Sequence, residues 1–244
     1  MNLDKTEGLL LGNLKNSNLE QYHNIIFRKS PVKCLGVYLG HDRQLCDELN
    51  WNTKLSQLEK ILNVWQKRNL NIFGKVTVIN SICIPKIIYL CSVTSVPESI
   101  IDKIEHLVNQ FLWSGKARAS KKCIINPVEK GGLNVVDIRS KIQTLKMQWL
   151  IRWLKNSSWG PIAESFLEKT GCGLPMLFDL NIEKLKDFPA LLKLPRFYQD
   201  VWQAYYNFKG TRLAKSMNDY DFLSQVLWGN NIFKFQNNCL FFPN

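Results

Sequence analysis

The stretch from Trp65 to Leu90, WQKRNLNIFGKVTVINSICIPKIIYL, constrains the fold of this chain more than any other. It opens with basic residues and becomes a nearly continuous apolar run after Gly74. From Lys60 to Pro97 the chain has bases but no acid. An apolar run of this length belongs in a core, and a purely basic edge suits a surface that lies beside a polyanion. A core helix whose flanking charges are simply solvated gives the same pattern, so both interpretations stay open at this point.

Composition narrows the class of protein. The chain has 244 residues, of which 45% are hydrophobic and 11% aromatic, so it is long and apolar enough to form one or two domains with a buried core. Its formal net charge is +12, and its isoelectric point is near 9.4. Such a charge indicates an acidic partner, with nucleic acid before an anionic membrane surface.

Cysteine usage and hydropathy indicate the compartment. The seven cysteines are odd in number and form no C-x-x-C pair, which favours a reducing environment over a disulfide framework. Residues 1–12 carry charges where a signal peptide would be apolar. The longest apolar run, Val76–Leu90, is shorter than the ~20 residues that a bilayer requires. We therefore expect an intracellular protein, nuclear or cytoplasmic, without a membrane partner.

Hydrophobic periodicity predicts a mainly α fold with a small antiparallel β-hairpin at the N-terminus, followed by a helical bundle and further helices. Apolar segments at Leu9–Leu11 and Cys34–Leu39 read as strands, the second within a hairpin bracketed by Gly36 and Gly40. Predicted helices cover 47–68, 73–90 with a kink near Pro85, a third from Pro97, and a fourth over 137–154. Weaker helical patterns cover 161–169 and 194–208. The predicted domains are 1–45, 46–125 and 126–244.

The fourth helix separates its charges from its apolar residues. Its predicted core stripe consists of Ile138, Ile142, Leu145, Trp149 and Trp153. Three bases lie on another face: Lys141, Arg152 and Lys155. A ridge facing phosphates and an ordinary solvated face predict this arrangement equally well. The aromatic residues of 194–208 favour a core over a stacking surface for unpaired nucleotides.

The sequence shows no catalytic centre. Nucleotidyl transfer needs carboxylates that converge on two divalent metals, and no adjacent Asp-Asp pair occurs. The nearest approach, Asp219-Tyr220-Asp221, reads as a loop or a helix cap. Phosphate-loop and dinucleotide fingerprints are absent, and three histidines do not suffice for a zinc site. We expect no cofactor, no metal and no small-molecule substrate.

Five groups of short motifs occur in order along the chain. They are Lys5-Thr6-Glu7; Lys33-Cys34-Leu35-Gly36-Val37; Gly74-Lys75-Val76 with Asn80-Ser81, Pro85-Lys86 and Tyr89; Phe111-Leu112-Trp113; and Pro127 with Gly131-Gly132-Leu133 and Asp137-Ile138. This series resembles the C-terminal part of the reverse transcriptase of LINE-type (non-LTR) retrotransposons. The resemblance covers the chain from Asn2 to about Trp153, and a weaker similarity continues through 227–231.

The resemblance implies roles for individual residues. Lys5 matches the position of a candidate proton donor to departing pyrophosphate, and is a motif remnant here. The segment Cys34, Leu35, Gly36 and Val37 resembles the primer-grip hairpin at the edge of the palm. The helices that follow resemble the thumb, which clamps the primer–template duplex. The nucleic-acid contacts expected from the resemblance and the basic patterns together are Lys67, Arg68, Lys75, Lys86, Lys141, Arg152 and Lys155.

The fingers, most of the palm and the metal-binding aspartates of such an enzyme are not found in this sequence. We therefore expect a truncated, catalytically inactive reverse transcriptase fragment that binds the backbone of an RNA–DNA hybrid or duplex without sequence preference. Three alternatives stay open: part of an active polymerase completed by upstream sequence, a domesticated non-enzymatic helical interaction protein, and a decaying pseudogene product that folds poorly.

Overall fold

The computed structural model describes residues 6–10, 14, 17, 21–22, 25–114, 118–155, 158–216, 234–236 and 239–241. The strands are β1 (Glu7–Gly8), β2 (Gln21–Tyr22), β3 (Ile25–Phe27), β4 (Val32–Cys34), β5 (Val37–Leu39), β6 (Lys234–Gln236) and β7 (Cys239–Phe241). The helices are α1 (Arg43–Gln66), α2 (Ile72–Val78), α3 (Ile84–Val93), α4 (Glu98–Trp113), α5 (Lys121–Ile125), α6 (Ile138–Leu154), α7 (Gly160–Glu168), α8 (Leu174–Asp179) and α9 (Arg196–Ser216). This confirms the predicted mainly α class.

The chain separates into two compact units. Unit 1 comprises Met1–Leu90 and Val96–Val136, and unit 2 comprises Cys91–Ser95 and Asp137–Asn244. Unit 1 thus holds both the N-terminal strands and the helices α1, α2 and α4, because α1 packs on β5 as well as on α4. The domain boundaries predicted at residues 45 and 125 stay a prediction.

The predicted hairpin within 33–40 is confirmed. Strands β4 and β5 pair antiparallel, with Cys34 opposite Val37. The two residues of the turn, Leu35 and Gly36, both have positive φ angles of 48° and 83°. This left-handed pair matches the twist of a two-residue hairpin, and glycine occupies its second position at little conformational cost. The N-terminal strand, however, is Glu7–Gly8 and not Leu9–Leu11: Leu9 and Leu10 follow it as loop, and Leu11 lies outside the described residues.

A buried asparagine joins the hairpin to α1. The Tyr38 N–H donates to Asn50 Oδ1 at 2.8 Å, and Asn50 Nδ2 donates to the Tyr38 carbonyl at 3.0 Å. Asn50 is 6% exposed, so both hydrogen bonds are largely shielded from water. Helix α1 begins four residues before the predicted start because Asp42 caps it, accepting from the Leu45 N–H at 3.0 Å.

The apolar stretch that dominates the sequence is a core element, as its composition indicated. Ile79, Cys83, Ile84 and Ile87 are each no more than 3% exposed. Between α2 and α3 lies a π-helical segment, Ile79–Cys83. The irregularity expected near Pro85 therefore begins earlier in the chain, since proline has no N–H to donate to the preceding turn and the widened segment accommodates that loss.

This helical stretch is longer than the apolar run identified in the sequence. Ile72–Val93 has 22 residues and a mean hydropathy of 1.7 over its most apolar window. By length and composition alone it meets the requirement for a membrane span, and buried core helices of soluble proteins pass the same test. Of that window, 44% is buried inside the protein.

The core of unit 2 forms mainly between α6 and α9. The predicted stripe of α6 packs inward, with Ile138, Leu145 and Trp153 all buried. On α9, Trp202 and Tyr206 are 0% and 2% exposed, so the preference for a core over a stacking surface is confirmed for these two rings. Their centroids lie 6.0 Å apart in a stacked pair.

Candidate nucleic-acid interface

The seven predicted nucleic-acid contacts are divided between the two units. Unit 1 carries Lys67, Arg68, Lys75 and Lys86, and unit 2 carries Lys141, Arg152 and Lys155. Six of these side chains are exposed, and Lys75 is half-buried. Of the ion pairs between described residues, Arg28–Glu7 and Lys121–Glu105, neither involves any of the seven. The exposed six thus present charge that no carboxylate in these pairs neutralises.

In unit 1 the end of α1 places two bases side by side. Lys67 is the C-cap of α1, and the guanidinium of Arg68 lies 4.6 Å from the centre of the Trp65 ring. Gln66 Nε2 donates to Ser114 Oγ at 2.6 Å, which fastens the end of α1 to the end of α4. The two bases therefore project from a fixed helix end.

Lys75 has an internal role that the sequence did not reveal. Its Nζ donates to the Leu112 carbonyl at 3.2 Å and to Ser114 Oγ at 3.1 Å. A lysine at this place satisfies an orphan carbonyl of α4 and offsets the negative end of the helix dipole. The phosphate contact predicted for Lys75 stays a prediction, and making it would require these hydrogen bonds to break.

Lys86 lies exposed on α3. In an unbroken α-helix, a separation of 11 residues would put it on the same face as Lys75. The intervening π-helical segment changes that register. The surface of unit 1 thus offers Lys67, Arg68 and Lys86 as its exposed predicted bases.

In unit 2 the basic face of α6 is separated from its core stripe as the spacing predicted. Lys141, Arg152 and Lys155 are exposed. The Arg152 guanidinium lies 4.9 Å from the centre of the Trp149 ring, which orients it along the helix surface. Whether this face contacts phosphate stays a prediction.

Lys146 of α6 is a buried lysine that the sequence analysis did not single out. It is 1% exposed, and its Nζ donates to the Thr94 carbonyl at 2.6 Å and lies 4.4 Å from the Phe197 ring. Burial lowers its pKa from the ordinary value of 10.5 to about 8, although the nearby Asp200 opposes that change. A signal was present: Lys146 follows Ile142 by four residues and precedes Trp149 by three, on the stripe side of α6.

The primer-grip-like residues divide between tip and core. Cys34, Leu35 and Gly36 are exposed, and Leu35 is 85% exposed at the tip of the hairpin. Val37 is 5% exposed and anchors the hairpin in unit 1. Lys5, the predicted motif remnant, lies outside the described residues.

A groove lies between α1 and α4 in unit 1. Two adjoining parts, of about 620 Å³ and about 680 Å³, share Glu59, His106 and Leu107 as lining residues. Acidic side chains of both helices border it, and none of the seven predicted bases lines it. Within the part of the chain that the structure describes, no three His, Cys, Asp or Glu residues are grouped to hold a metal ion.

The fold and its exposed bases define a mainly helical, basic protein with a small hairpin. This chain is similar in sequence to a transposon-encoded protein and to a second protein. It is 29% identical, over 96% of its length, to the "Transposon TX1 uncharacterized 149 kDa protein" of Xenopus laevis. It is also 25% identical, over 43% of its length, to a "Putative ribonuclease H protein" of Arabidopsis thaliana.

The chain spans 18% of the length of each of these curated relatives. No family model matches it. The similarities confirm the resemblance to LINE-type retrotransposon proteins that the ordered motifs indicated.

Proposed function

We propose that this chain is the primer-grip, thumb and post-thumb region of a retrotransposon reverse transcriptase, and that it binds the phosphate backbone of an RNA–DNA hybrid or duplex without sequence preference. The observation that carries the proposal is the exposure of Lys67, Arg68 and Lys86 within a segment, 60–97, that contains no acid. The similarity to a transposon protein over nearly the whole chain supports the same assignment.

The physical basis is counterion release. Each phosphate that a lysine or arginine neutralises frees a condensed cation from the nucleic acid, so affinity falls linearly with salt on a logarithmic scale. Bases held outside internal ion pairs are available for this exchange. Lys67 and Arg68 lie at the C-terminal end of α1 and Lys86 lies on α3, so these bases are spread over the surface. Such a spread suits an extended phosphate backbone better than a compact ligand.

We also propose that the chain by itself transfers no nucleotides. Two-metal phosphoryl transfer requires converging carboxylates, and the sequence has no adjacent aspartate pair. In a primer-extension assay with Mg²⁺ or Mn²⁺, we expect no incorporation above a no-protein control. Extension that follows the protein through purification would contradict this.

Salt-dependent binding tests the main proposal. The affinity for a fluorescently labelled 20-base-pair RNA–DNA hybrid is measured by anisotropy between 50 and 200 mM salt. If about five phosphates are neutralised, the slope of log K against log salt should be about −4 to −5. A flat response would show that the backbone is not the ligand.

A matched pair of double variants locates the interface. Lys67→Gln with Lys86→Gln should reduce the magnitude of the salt slope by about 2, since each lost phosphate contact removes about one unit. Lys184→Gln with Lys186→Gln removes the same charge from a site beside Glu183 and Asp187, and should leave the slope nearly unchanged. Equal effects of the two variants would mean that the charge acts diffusely.

A further inference from the structure

An exposed indole lies between α6 and α7 in unit 2. Trp159, the residue before α7, is 46% exposed, although tryptophan is usually mostly buried. Three apolar residues close to it along the chain, Ile151, Leu154 and Ile162, are each 46–51% exposed. Such a group of exposed apolar side chains makes this part of the chain a candidate for a binding surface.

The exposed indole is held in a defined position by Trp149. The two rings meet edge to face, with centroids 5.3 Å apart and planes at 88°. Trp149 is itself fixed, because its Nε1 donates to the Ser92 carbonyl at 2.8 Å and its ring meets Phe197 at 5.5 Å. The same ring carries the Arg152 guanidinium at 4.9 Å. One anchored indole therefore orients both an exposed aromatic ring and an exposed cation.

The stretch of sequence that contains Trp149 and Trp159 carries only positive charge. From Ile138 to Ala163 the sequence has no acid, and Glu164 is the next one. Lys146 is turned into the core, so the exposed charge of α6 comes from Lys141, Arg152 and Lys155. Arg152 and Lys155 are three residues apart, neighbours on one face of the helix. We call Trp149, Arg152, Lys155 and Trp159 the Trp159 platform.

Aromatic rings beside cations match the chemistry of unpaired nucleotides. A single strand offers free base faces for stacking and phosphates at the same time, whereas the bases of a duplex are already stacked on one another. The platform supplies both an aromatic ring for a base and cations for the phosphates. A protein partner would use the apolar side chains but would not account for the acid-free basic run.

We propose that the Trp159 platform binds single-stranded nucleic acid, with a base stacked on Trp159 and phosphates against Arg152 and Lys155. This inference rests on the proposed backbone binding and extends it from paired to unpaired strands. It also assigns the unpaired strand to unit 2.

The test compares a labelled 20-nucleotide oligouridine with the 20-base-pair hybrid, using the full chain. Trp159→Ala should weaken oligouridine binding by at least about fivefold, as expected for one lost stacked base. Affinity for the hybrid and the salt slope should stay unchanged, since no charge is lost. Trp159→Phe, which keeps a ring, should retain most of the affinity. Arg152→Gln with Lys155→Gln should instead reduce the magnitude of the oligouridine salt slope by about 1.4, because each phosphate contact on a single strand contributes about 0.7.

Phe208→Ala is the matched control, because Phe208 is 54% exposed on α9 of the same unit and lies outside the platform. It should bind oligouridine like the wild type. The inference is overturned if Trp159→Ala binds oligouridine normally, if it weakens oligouridine and hybrid equally, or if Phe208→Ala has the same effect. Circular dichroism and thermal unfolding establish that each variant is folded. Wild-type protein that binds neither probe would overturn the proposed function as well, whereas normal hybrid binding with an inert Trp159 would overturn only the platform.

Discussion

Three lysines of this basic protein direct their charge inward, to the carbonyl ends of helices. Lys75 donates to the Leu112 carbonyl at the end of α4, and Lys146 donates to the Thr94 carbonyl just beyond α3. Lys209 donates to the carbonyls of Phe178, Asp179 and Leu180 at the end of α8, at 2.7–3.0 Å. The last carbonyls of a helix have no partner inside it, and a buried one needs a donor from elsewhere. Net charge therefore overstates the positive charge that the protein presents at its surface.

The buried ammonium of Lys146 should give stability a particular pH dependence. Its pKa is about 8 in the folded protein and 10.5 in its ordinary environment, so the unfolded chain binds this proton more tightly. Below pH 8 the ammonium is charged in both states, and its burial lowers the stability of the folded protein by the full amount. As pH rises towards 10.5 the folded protein releases the proton, and this loss of stability disappears. The free energy of unfolding should therefore rise through this window by up to about 3 kcal/mol from this group.

The measurement is the difference in urea unfolding between wild type and Lys146→Met at pH 7.5, 9 and 10.5. The stability of the wild type should increase relative to the variant as pH rises. Cys91, whose pKa burial raises to about 12, acts in the opposite direction but is present in both proteins. Lys186→Met, which makes the same substitution at an exposed lysine, is the control for the substitution itself. A constant or falling difference for Lys146→Met would contradict the inferred cause.

At the scale of elements, the Pro127–Gly132 turn shows how a motif of the sequence becomes geometry. A 3₁₀ helix, Val128–Lys130, leads into Gly131, whose φ is +74°. The turn returns the chain so that the Asn134 N–H donates to the Asn126 carbonyl at 2.9 Å. Asn80 of the π-helical segment then binds the segment that follows the turn. Its side chain donates to the Asn134 carbonyl at 2.9 Å and accepts from the Val136 N–H at 3.1 Å. Asn80, a motif residue, thus contacts residues 54 and 56 positions later in the chain.

The two glycines of this turn should respond differently to alanine. A Cβ on Gly132 would collide with the Asn126 backbone carbonyl, whereas a Cβ on Gly131 would meet nothing within 4 Å. Gly132→Ala should destabilise by about 1–3 kcal/mol or more, because backbone must move. Gly131→Ala should cost only the left-handed conformation, about 1 kcal/mol, and Gly131→Asn less. Urea unfolding midpoints give the order, and equal midpoints for Gly131→Ala and Gly132→Ala would contradict it.

At the scale of the whole molecule, free thiols report on both units. Of the six described cysteines that are free, Cys83 is 2% exposed in unit 1 and Cys91 is 2% exposed in unit 2. Burial raises the pKa of Cys83 to about 11, so little of either thiol is the reactive thiolate at neutral pH. Cys34 and Cys123 are exposed.

Alkylation at pH 7.5 followed by site-resolved mass spectrometry should therefore divide the thiols into two classes. Cys34 and Cys123 should be labelled in the native protein because they are exposed, while Cys83 and Cys91 should be protected until the chain unfolds in urea. Exposed Cys34 in the same molecule is the internal control for reagent activity. Native-state labelling of Cys83 or Cys91 at the rate of Cys34 would contradict the cores described here.

Sequence periodicity was sufficient for the six predicted helical regions and for the hairpin, because both depend on contacts within a few residues, but the short helices α5 and α8 were not predicted. The buried stripe of α6 follows from the spacing of its apolar residues. The strand at Glu7–Gly8 could not be predicted in this way, because it is defined by pairing with Ile25–Phe27. Pairing between distant segments leaves little signal in the local sequence. The start of α1 depended on the Asp42 cap, which periodicity does not register.

The sequence by itself determined a basic, mainly helical protein whose apolar stretch at 65–90 lies in a core. Its ordered motifs also determined the relationship to retrotransposon proteins. Only the tertiary structure decided which bases are exposed. It turned Lys146 and Lys75 towards helix ends, because carbonyls from distant segments need donors there, and it left Lys67, Arg68 and Lys86 outside. It also joined Trp149 of α6 to Trp159, the residue before α7, a contact that the spacing within one helix does not predict.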